Sequence, residues 1–482
     1  MEENKNFKGD ETKESPLGEE KQEEKAPAKT PLDKKKLIFI IAAVAVVAVI
    51  AIILAVVFLG GKGENEPEEE VYTEGLEFTL LYDGNYSVSV GTATNVSDII
   101  IPENYNGGKV VAIAHDGFSY CENIKSIEIP STITSINNSA FYGCTSLKYN
   151  EYENAKYLGN ESNPYVALID PEEYDITSCT IHPYTKVIGD FVFYNCTSLT
   201  SITIPDGVTT IGDSAFRGCT SLKNITIPDS VTSIGKSAFY GCTSLKYNEY
   251  ENAKYLGNKR NPYVALIKIK KIKNQDITSC TIHPSTKTIG GLAFYNSTSL
   301  SNIKVDESNN TFKSIDGNLY SKDGKLLIKY ATGKTDASFV IPDGVTRIGE
   351  HAFSDCTSLT SITIPDGVTT IGDYAFSDCP ELTSITLPDD VTYIGREAFS
   401  YCFSLTYINI PTGVTTIGDS AFFGCSSMTS IIIPDSVTTI GYSAFIACTS
   451  LTDVYYTGSE EEWNAINFDE LTKANIHFNY VP

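Results

Sequence analysis

Tryptophan, methionine and histidine are nearly absent from this sequence: one Trp, two Met and five His in 482 residues. The five histidines (His115, His182, His283, His351 and His477) are scattered, which leaves little material for general acid–base work or metal ligation. No Gly-x-Ser-x-Gly elbow, His-Glu-x-x-His pattern, phosphate-binding glycine loop or Cys-x-x-Cys pair occurs in the chain. The sequence therefore lacks the signatures of serine hydrolases, zinc proteases and nucleotide enzymes. Basic residues are also scarce, 36 Lys and Arg against 60 Asp and Glu, a formal net charge of −24. Such a field repels phosphate backbones, so no nucleic acid is expected as a partner. No catalytic residue, metal, cofactor or small-molecule substrate is expected, and the protein reads as a non-enzyme.

Two repeated phrases, ITSCTIHP at 176–183 and 277–284, carry a Cys-x-x-His spacing through Cys179 with His182 and Cys280 with His283. Residues three apart on a strand point to opposite faces, so a shared metal is not expected there. His351 stands where aligned repeats vary and reads as a surface residue.

Long hydrophobic runs are limited to one. Residues 37–59 contain no charge, no polar side chain and no proline. At about 1.5 Å per residue they match the roughly 30 Å hydrocarbon core. The run is longer than a signal-peptide core and ends without a small-x-small cleavage pattern, so it reads as an uncleaved signal anchor. Lys34, Lys35 and Lys36 precede it, and Glu64, Glu66, Glu68, Glu69 and Glu70 follow. The positive-inside rule then puts the N-terminus in the cytoplasm and the rest outside, a single-pass membrane protein. Residues 1–36, Lys/Glu-rich with a single aromatic, read as a disordered tail, and 60–73 as an acidic stalk.

What the chain has in abundance is repetition. VTRIGEHAFSDCTSLTSITIPDG (345–367) is followed by VTTIGDYAFSDCPELTSITLPDD and VTYIGREAFSYCFSLTYINIPTG, a 23-residue period. The Phe of the Ala-Phe element recurs as Phe118, Phe141, Phe193, Phe216, Phe239, Phe294, Phe353, Phe376, Phe399, Phe422 and Phe445, which predicts about eleven rungs with a Phe in every one. Leu359, Ile362 and Ile364 end in a period of two and predict a strand broken by Pro365. Val368 and Ile371 point inward, and Asp373 to Phe376 predict a helical turn that returns the chain. A single unit cannot hide its apolar face; stacked units share a continuous core. Ten rungs carry Cys three residues after the Phe, from Cys121 to Cys448, and one carries Ser297. These thiols read as a free, buried ladder of small apolar side chains, although neighbouring rungs could bring two sulfurs within bonding reach.

The motifs Leu-x-x-Ile-x-Ile-Pro, Val-x-x-Ile-Gly and Ala-Phe-x-x-Cys across 110–457 closely resemble the BspA-like, Treponema pallidum-type branch of bacterial leucine-rich repeats. The resemblance covers about three quarters of the chain. It implies a β-rich, right-handed leucine-rich-repeat solenoid with a concave β-sheet, displayed on the cell surface. It also implies adhesion, or binding of a host or neighbouring-cell protein, as the role.

The repeat region, 110–457, is interrupted at 148–175, 246–276 and 303–340. The first two are copies of one another, KYNEYENAKYLGNESNPYVALI and KYNEYENAKYLGNKRNPYVALI. Each reads as a β-hairpin turning at Asn-Pro, and the third, with two Asp-Gly turns, as a small meander. A β-hairpin cap is expected over 74–109, and a C-terminal cap over 458–482, where Ser459 to Glu462 form a capping box.

The outward positions of the repeat strands are Thr203, Thr226, Thr363, Thr386, Asn409, Ile432 and Tyr455. They turn apolar towards the C-terminus, so Tyr407, Asn409, Ile432 and Tyr455 form one candidate binding surface. Tyr157 and Tyr165 of the first hairpin form a second, since Tyr is enriched at interfaces. A protein ligand of unknown identity is the partner expected, held by the concave sheet or by the hairpin flaps. A passive spacer or antigenic-display role for the envelope is the alternative.

Overall fold

The computed structural model describes residues 72–481 except 82, 138, 273–275, 467 and 469–473. The described residues all lie in one compact unit, Glu70–Pro482. The expected tail at 1–36, the expected membrane span at 37–59 and most of the expected stalk at 60–73 lie outside the described residues. Among the described residues no helix is long and apolar enough to cross a membrane.

The 23-residue period becomes a stack of parallel strands on two faces. On the first, Ser338–Val340, Ser361–Thr363, Ser384–Thr386, Tyr407–Asn409, Ser430–Ile433, Asp453–Tyr456 and Asn475–His477 pair in sequence order as one seven-stranded sheet. The register places Ser361 beside Ser384 and Ile362 beside Ile385. Like residues therefore stack on like, and the Ile of each strand turns inward while its Ser and Thr face out. On the second face, two-residue strands such as Thr370–Ile371 and Tyr393–Ile394 extend an eight-stranded sheet that begins at Phe312–Ile315. Between the faces the repeat's Leu, Ile, Val, Ala, Phe and Cys pack into a core; Val368, Ile371, Ala375, Phe376, Cys379 and Leu382 are all 0% exposed.

Three ladders bind rung to rung. The Phe rings stack: Phe376 on Phe399 at 5.2 Å and 9°, and Phe399 on Phe422 at 5.4 Å and 1°. Thr383 Oγ1 donates to the carbonyl of Thr360, and Thr452 Oγ1 to that of Thr429, each 23 residues earlier. Thiols of the Cys column find backbone acceptors one rung away. Cys402 Sγ donates to Phe376 O at 3.2 Å and Cys425 Sγ to Phe399 O at 3.1 Å, a bond that Cys144, Cys219, Cys242, Cys379 and Cys448 also make. All twelve cysteines are free, and burial pushes thiols up, that of Cys196 to about 11 and that of Cys448 to about 12.

The segment that returns the chain is not helical, contrary to the expectation for Asp373–Phe376. Tyr374 and Asp378 both take left-handed backbone angles, φ 56° each. A right-handed helix cannot pass through such residues. The loop is a succession of turns whose N–H groups bond to the next rung, Tyr374 to Arg396 O and Phe376 to Ala398 O. The Gly of the Ile-Gly element is required by close approach: a Cβ on Gly395 would lie 2.6 Å from the backbone N of Asp373.

The stack is longer than eleven rungs; it makes about 17 turns. At about 4.8 Å per turn this is roughly 80 Å along the stack. The Phe marks only those turns that carry an Ala-Phe loop, so counting Phe misses turns that stack without one. The three interruptions are among these turns. In the first, Ala155–Leu158 pairs antiparallel with Ala167–Pro171, which then pairs parallel with Val187–Ile188 of the second face. On the first face Gly159 bridges Glu128 and accepts from the N–H of Ile129. The second copy repeats this through Ile227 N to Gly257 O and through Ala265–Ile269 against Thr288–Ile289. In the third, Leu326–Lys329 pairs parallel with Arg347–Ile348, and Tyr330 takes the place of the Phe, stacked on Phe353 at 5.3 Å.

At the N-terminal end Glu77–Leu80 and Tyr86–Ser89 form an antiparallel hairpin, and Phe78 stacks on Tyr105 at 3.9 Å. At the other end a short helix, Glu460–Ala465, starts at a reciprocal capping box between Ser459 and Glu462 and buries Trp463 against Tyr456.

Candidate functional site

The C-terminal turns carry the first candidate surface. Register sets Asn409 beside Ile432 and Ile432 beside Tyr455, so these three form one row across adjacent strands. Tyr407 faces outward at the first position of its strand and is 43% exposed. Tyr455 is half-buried because His477 stacks on it at 4.7 Å and Tyr480 leans on it at 4.7 Å. His477 Nε2 lies 2.8 Å from Asp453 Oδ1. That bond is the largest of the contacts holding the Asp453 carboxyl below its usual value. Ile432 is only 9% exposed, so it is a floor to the patch and not a contact residue. Tyr455, its larger neighbour in the row, stands beside it. His477 and Tyr480 belong to the patch although the repeat pattern does not reach them; the alternation in the closing strand 475–477 was their only signal.

The second candidate surface divides. Tyr157 is 0% exposed, so it offers no contact area. The hairpin lies in the stack as a turn and not as a flap, and this turns Tyr157 inward, where its hydroxyl accepts the N–H of His182 at 3.2 Å. Tyr165 stays half-exposed, stacked on the His182 ring at 3.8 Å and edge-on to Tyr157 at 5.5 Å. Tyr263 and His283 of the second copy repeat the stack at 3.9 Å. Cys179, beside Ile202 in register, is buried in the core, and its thiol is raised to about 11 by burial. Among the described residues no group of three or more His, Cys, Asp or Glu is arranged to hold a metal ion.

Two clefts open where a turn lacks its Ala-Phe loop and the Phe column breaks. The larger, about 400 Å³, lies beside the first interruption. Phe141, Tyr142, Tyr149, Tyr174 and Phe191 wall it, with the Asp170 carboxyl among them. Asp170 Oδ1 accepts the Tyr174 hydroxyl at 2.9 Å. Burial raises the Asp170 carboxyl above its usual value, against the pull of Tyr174 and Lys156, and burial also lifts the phenols of Tyr149 and Tyr174 to about 12.

The smaller cleft, about 180 Å³, lies at the third interruption, among Gly291, Lys329, Glu350 and His351. Lys329, 7% exposed, donates to His351 O at 2.8 Å and to Ser354 O at 3.2 Å. Lys236 meets Glu350 at 2.5 Å and lies 4.1 Å over the Tyr374 ring. His351 is not the surface residue expected. Its side chain is 21% exposed, it stacks on Tyr374 at 4.6 Å, and Nε2 finds no hydrogen-bond partner among the described residues. Burial, then Lys236 and Lys329, lower its pKa to about 3. Neither cleft is signalled in the sequence, because a missing loop leaves no motif.

The family model of the BspA type leucine rich repeat region matches in six copies over 92–162, 172–260, 266–326 and 331–452. Among solved structures, a leucine rich cell surface protein from Faecalibacterium prausnitzii is similar at 32% identity over 84% of this chain and 98% of that one, TM-score 0.41. A leucine-rich repeat protein from Eubacterium ventriosum is similar at 27% identity over 64% of this chain and 85% of that one, TM-score 0.40. The pneumococcal vaccine antigen PcpA is similar at 22% identity over 85% of this chain and 93% of that one, TM-score 0.39. No curated protein matches. The matched motifs are those that build the ladders described above, and they cover most of the chain; it belongs to the BspA-type leucine-rich-repeat family.

Proposed function

We propose that the protein is a cell-surface binding module, an adhesin that holds another protein through the outer face of its C-terminal turns. The chain anchors in the membrane through residues 37–59, keeps residues 1–36 in the cytoplasm and presents the solenoid outside. The observation that carries this reading is the aromatic patch of Tyr407, Tyr455, His477 and Tyr480 on a sheet whose earlier strands face solvent with Ser and Thr. Rigid aromatic side chains on a preformed sheet lose little entropy on binding, which suits a protein contact. Binding of this kind requires no cofactor and no covalent chemistry.

The test is capture of host and neighbouring-cell surface proteins by cells that display the full chain. A saturable partner is expected, and its affinity should fall by at least about tenfold when Tyr407 and Tyr480 are both replaced by Ala, in the range for interface aromatics. Surface biotinylation of whole cells checks the topology, labelling the solenoid and sparing the N-terminal tail. Failure to capture any partner across a broad panel would leave a passive spacer or display role instead.

A further inference from the structure

Inside the cleft the two copied interruptions differ by a reversal of charge, and Tyr174 of the first copy has no tyrosine counterpart in the second. Asp170 of the first copy corresponds to Lys268 of the second, because KYNEYENAKYLGN…NPYVALI precedes both. Tyr149 likewise corresponds to Tyr247, and Lys156 to Lys254. In the second copy the Lys268 ammonium lies 4.4 Å from the centre of the Tyr247 ring, with Lys254 at 5.7 Å. The first copy keeps only the more distant cation, Lys156 at 5.9 Å from Tyr149. The place of the second ammonium is taken by a carboxylate, beside a cleft of about 400 Å³.

We propose that this first cleft is a binding site for an organic ammonium group, supplied by a lysine side chain of a partner protein. Aromatic rings line the cleft, Tyr149 among them, and Asp170 supplies the charge opposite to a cation. Lys268 is the internal counterpart: it brings to the Tyr247 ring the ammonium that the first copy must take from outside. Burial raises the Asp170 carboxyl even with the Tyr174 hydroxyl bonded to it and Lys156 beside it, and an ammonium at the mouth of the cleft offsets that cost. The chain's net charge of −24 draws cations towards the site without selecting them; selection comes from the walls. A lysine held here deepens the binding role proposed above and rests on that role for its source.

The test is calorimetric titration of the full chain with a short acetylated Gly-Lys-Gly amide peptide, the same peptide with its lysine acetylated, and spermidine. The lysine peptide should bind, and acetylation, which removes the charge, should abolish binding. Asp170→Lys, a side chain the second copy already accommodates, should weaken binding by at least about tenfold, the range for a desolvated cation on aromatic faces with a paired charge. Asp170→Asn, which preserves shape, should weaken it in the same direction, while Asp366→Lys on an exposed turn should leave it unchanged. Equal loss in Asp170→Lys and Asp366→Lys would overturn the site and leave a diffuse charge effect. Binding of spermidine without the peptide would overturn the protein source of the ammonium. Because the peptide and spermidine arms need no natural partner, their failure is separable from failure to find an adhesion ligand.

Discussion

Replacing Phe399 by Ala removes a ring that is 0% exposed and sandwiched between Phe376 at 5.2 Å and Phe422 at 5.4 Å. Truncating a buried Phe to Ala costs about 3–5 kcal/mol, and aromatic pairs add about 0.5–1.5 kcal/mol each beyond area. Two lost pairs place Phe399→Ala near the top of that range, about 4–5 kcal/mol. Phe141 provides the internal comparison. It is 8% exposed, stacks on Phe118 alone at 5.9 Å, and borders the open cleft where the column breaks. With one pair and partial exposure, Phe141→Ala should cost about 2–3 kcal/mol, a gap of about 1–2 kcal/mol between the variants. A solenoid rung touches only its neighbours, so the damage should be local. Hydrogen exchange followed by mass spectrometry reads local opening energies where a single melting midpoint would blur them. In Phe399→Ala, peptides spanning 376–422 should lose protection while those before 240 keep theirs. Equal costs for the two variants, or loss spread evenly along the chain, would refute the ladder as the source of rung-to-rung stability.

His351 should make stability fall on acidification. Its folded pKa, about 3, lies below the usual histidine value, so the unfolded chain binds the proton first. The stabilising neutral form is therefore intact above about pH 6.5, and the contribution is lost progressively as pH falls from there towards 3. Urea unfolding of His351→Asn, a residue that tolerates the left-handed backbone at this position (φ 53°), should show a shallower decline between pH 6.5 and 5; an identical decline would exclude His351 as the cause. The thiol ladder makes a different prediction. Eleven of the twelve cysteines are buried and Cys448 is half-buried. A thiol reagent such as 5,5′-dithiobis(2-nitrobenzoic acid) should therefore label the native chain at Cys448 at most, and all twelve positions after denaturation in guanidinium. Fast labelling of several thiols in the native chain would contradict the buried column.

The repeat fold was legible because its determinants are local and recur. Each Leu, Ile, Val, Phe and Cys lies in the same short phrase every 23 residues, and like side chains stack only when the strands run parallel and in register. That repetition also announced the Cys column, and Ser459 with Glu462 announced the capping box. The helical return loop expected from Asp373 to Phe376 fails because short apolar spacing does not distinguish a helical turn from turns through left-handed residues such as Tyr374.

The rest was decided by contacts between distant residues. The interruptions read as flaps because nothing within them says which strand they meet. Only the pairing of Ala167–Pro171 with Val187–Ile188 turns the first into a turn of the stack, which buries Tyr157 and adds a turn that no Phe marks. Ile432 and His351 differ from expectation for the same reason: their exposure depends on Asn409 and Tyr455, and on Tyr374 of the next rung. The sequence by itself determined the rung, its inward residues and its ladder partners, since those follow from periodicity and stacking. The tertiary structure alone decided where the rungs break, because a cleft is the space left where a turn stacks without its loop, and no residue pattern encodes what is missing between two neighbours.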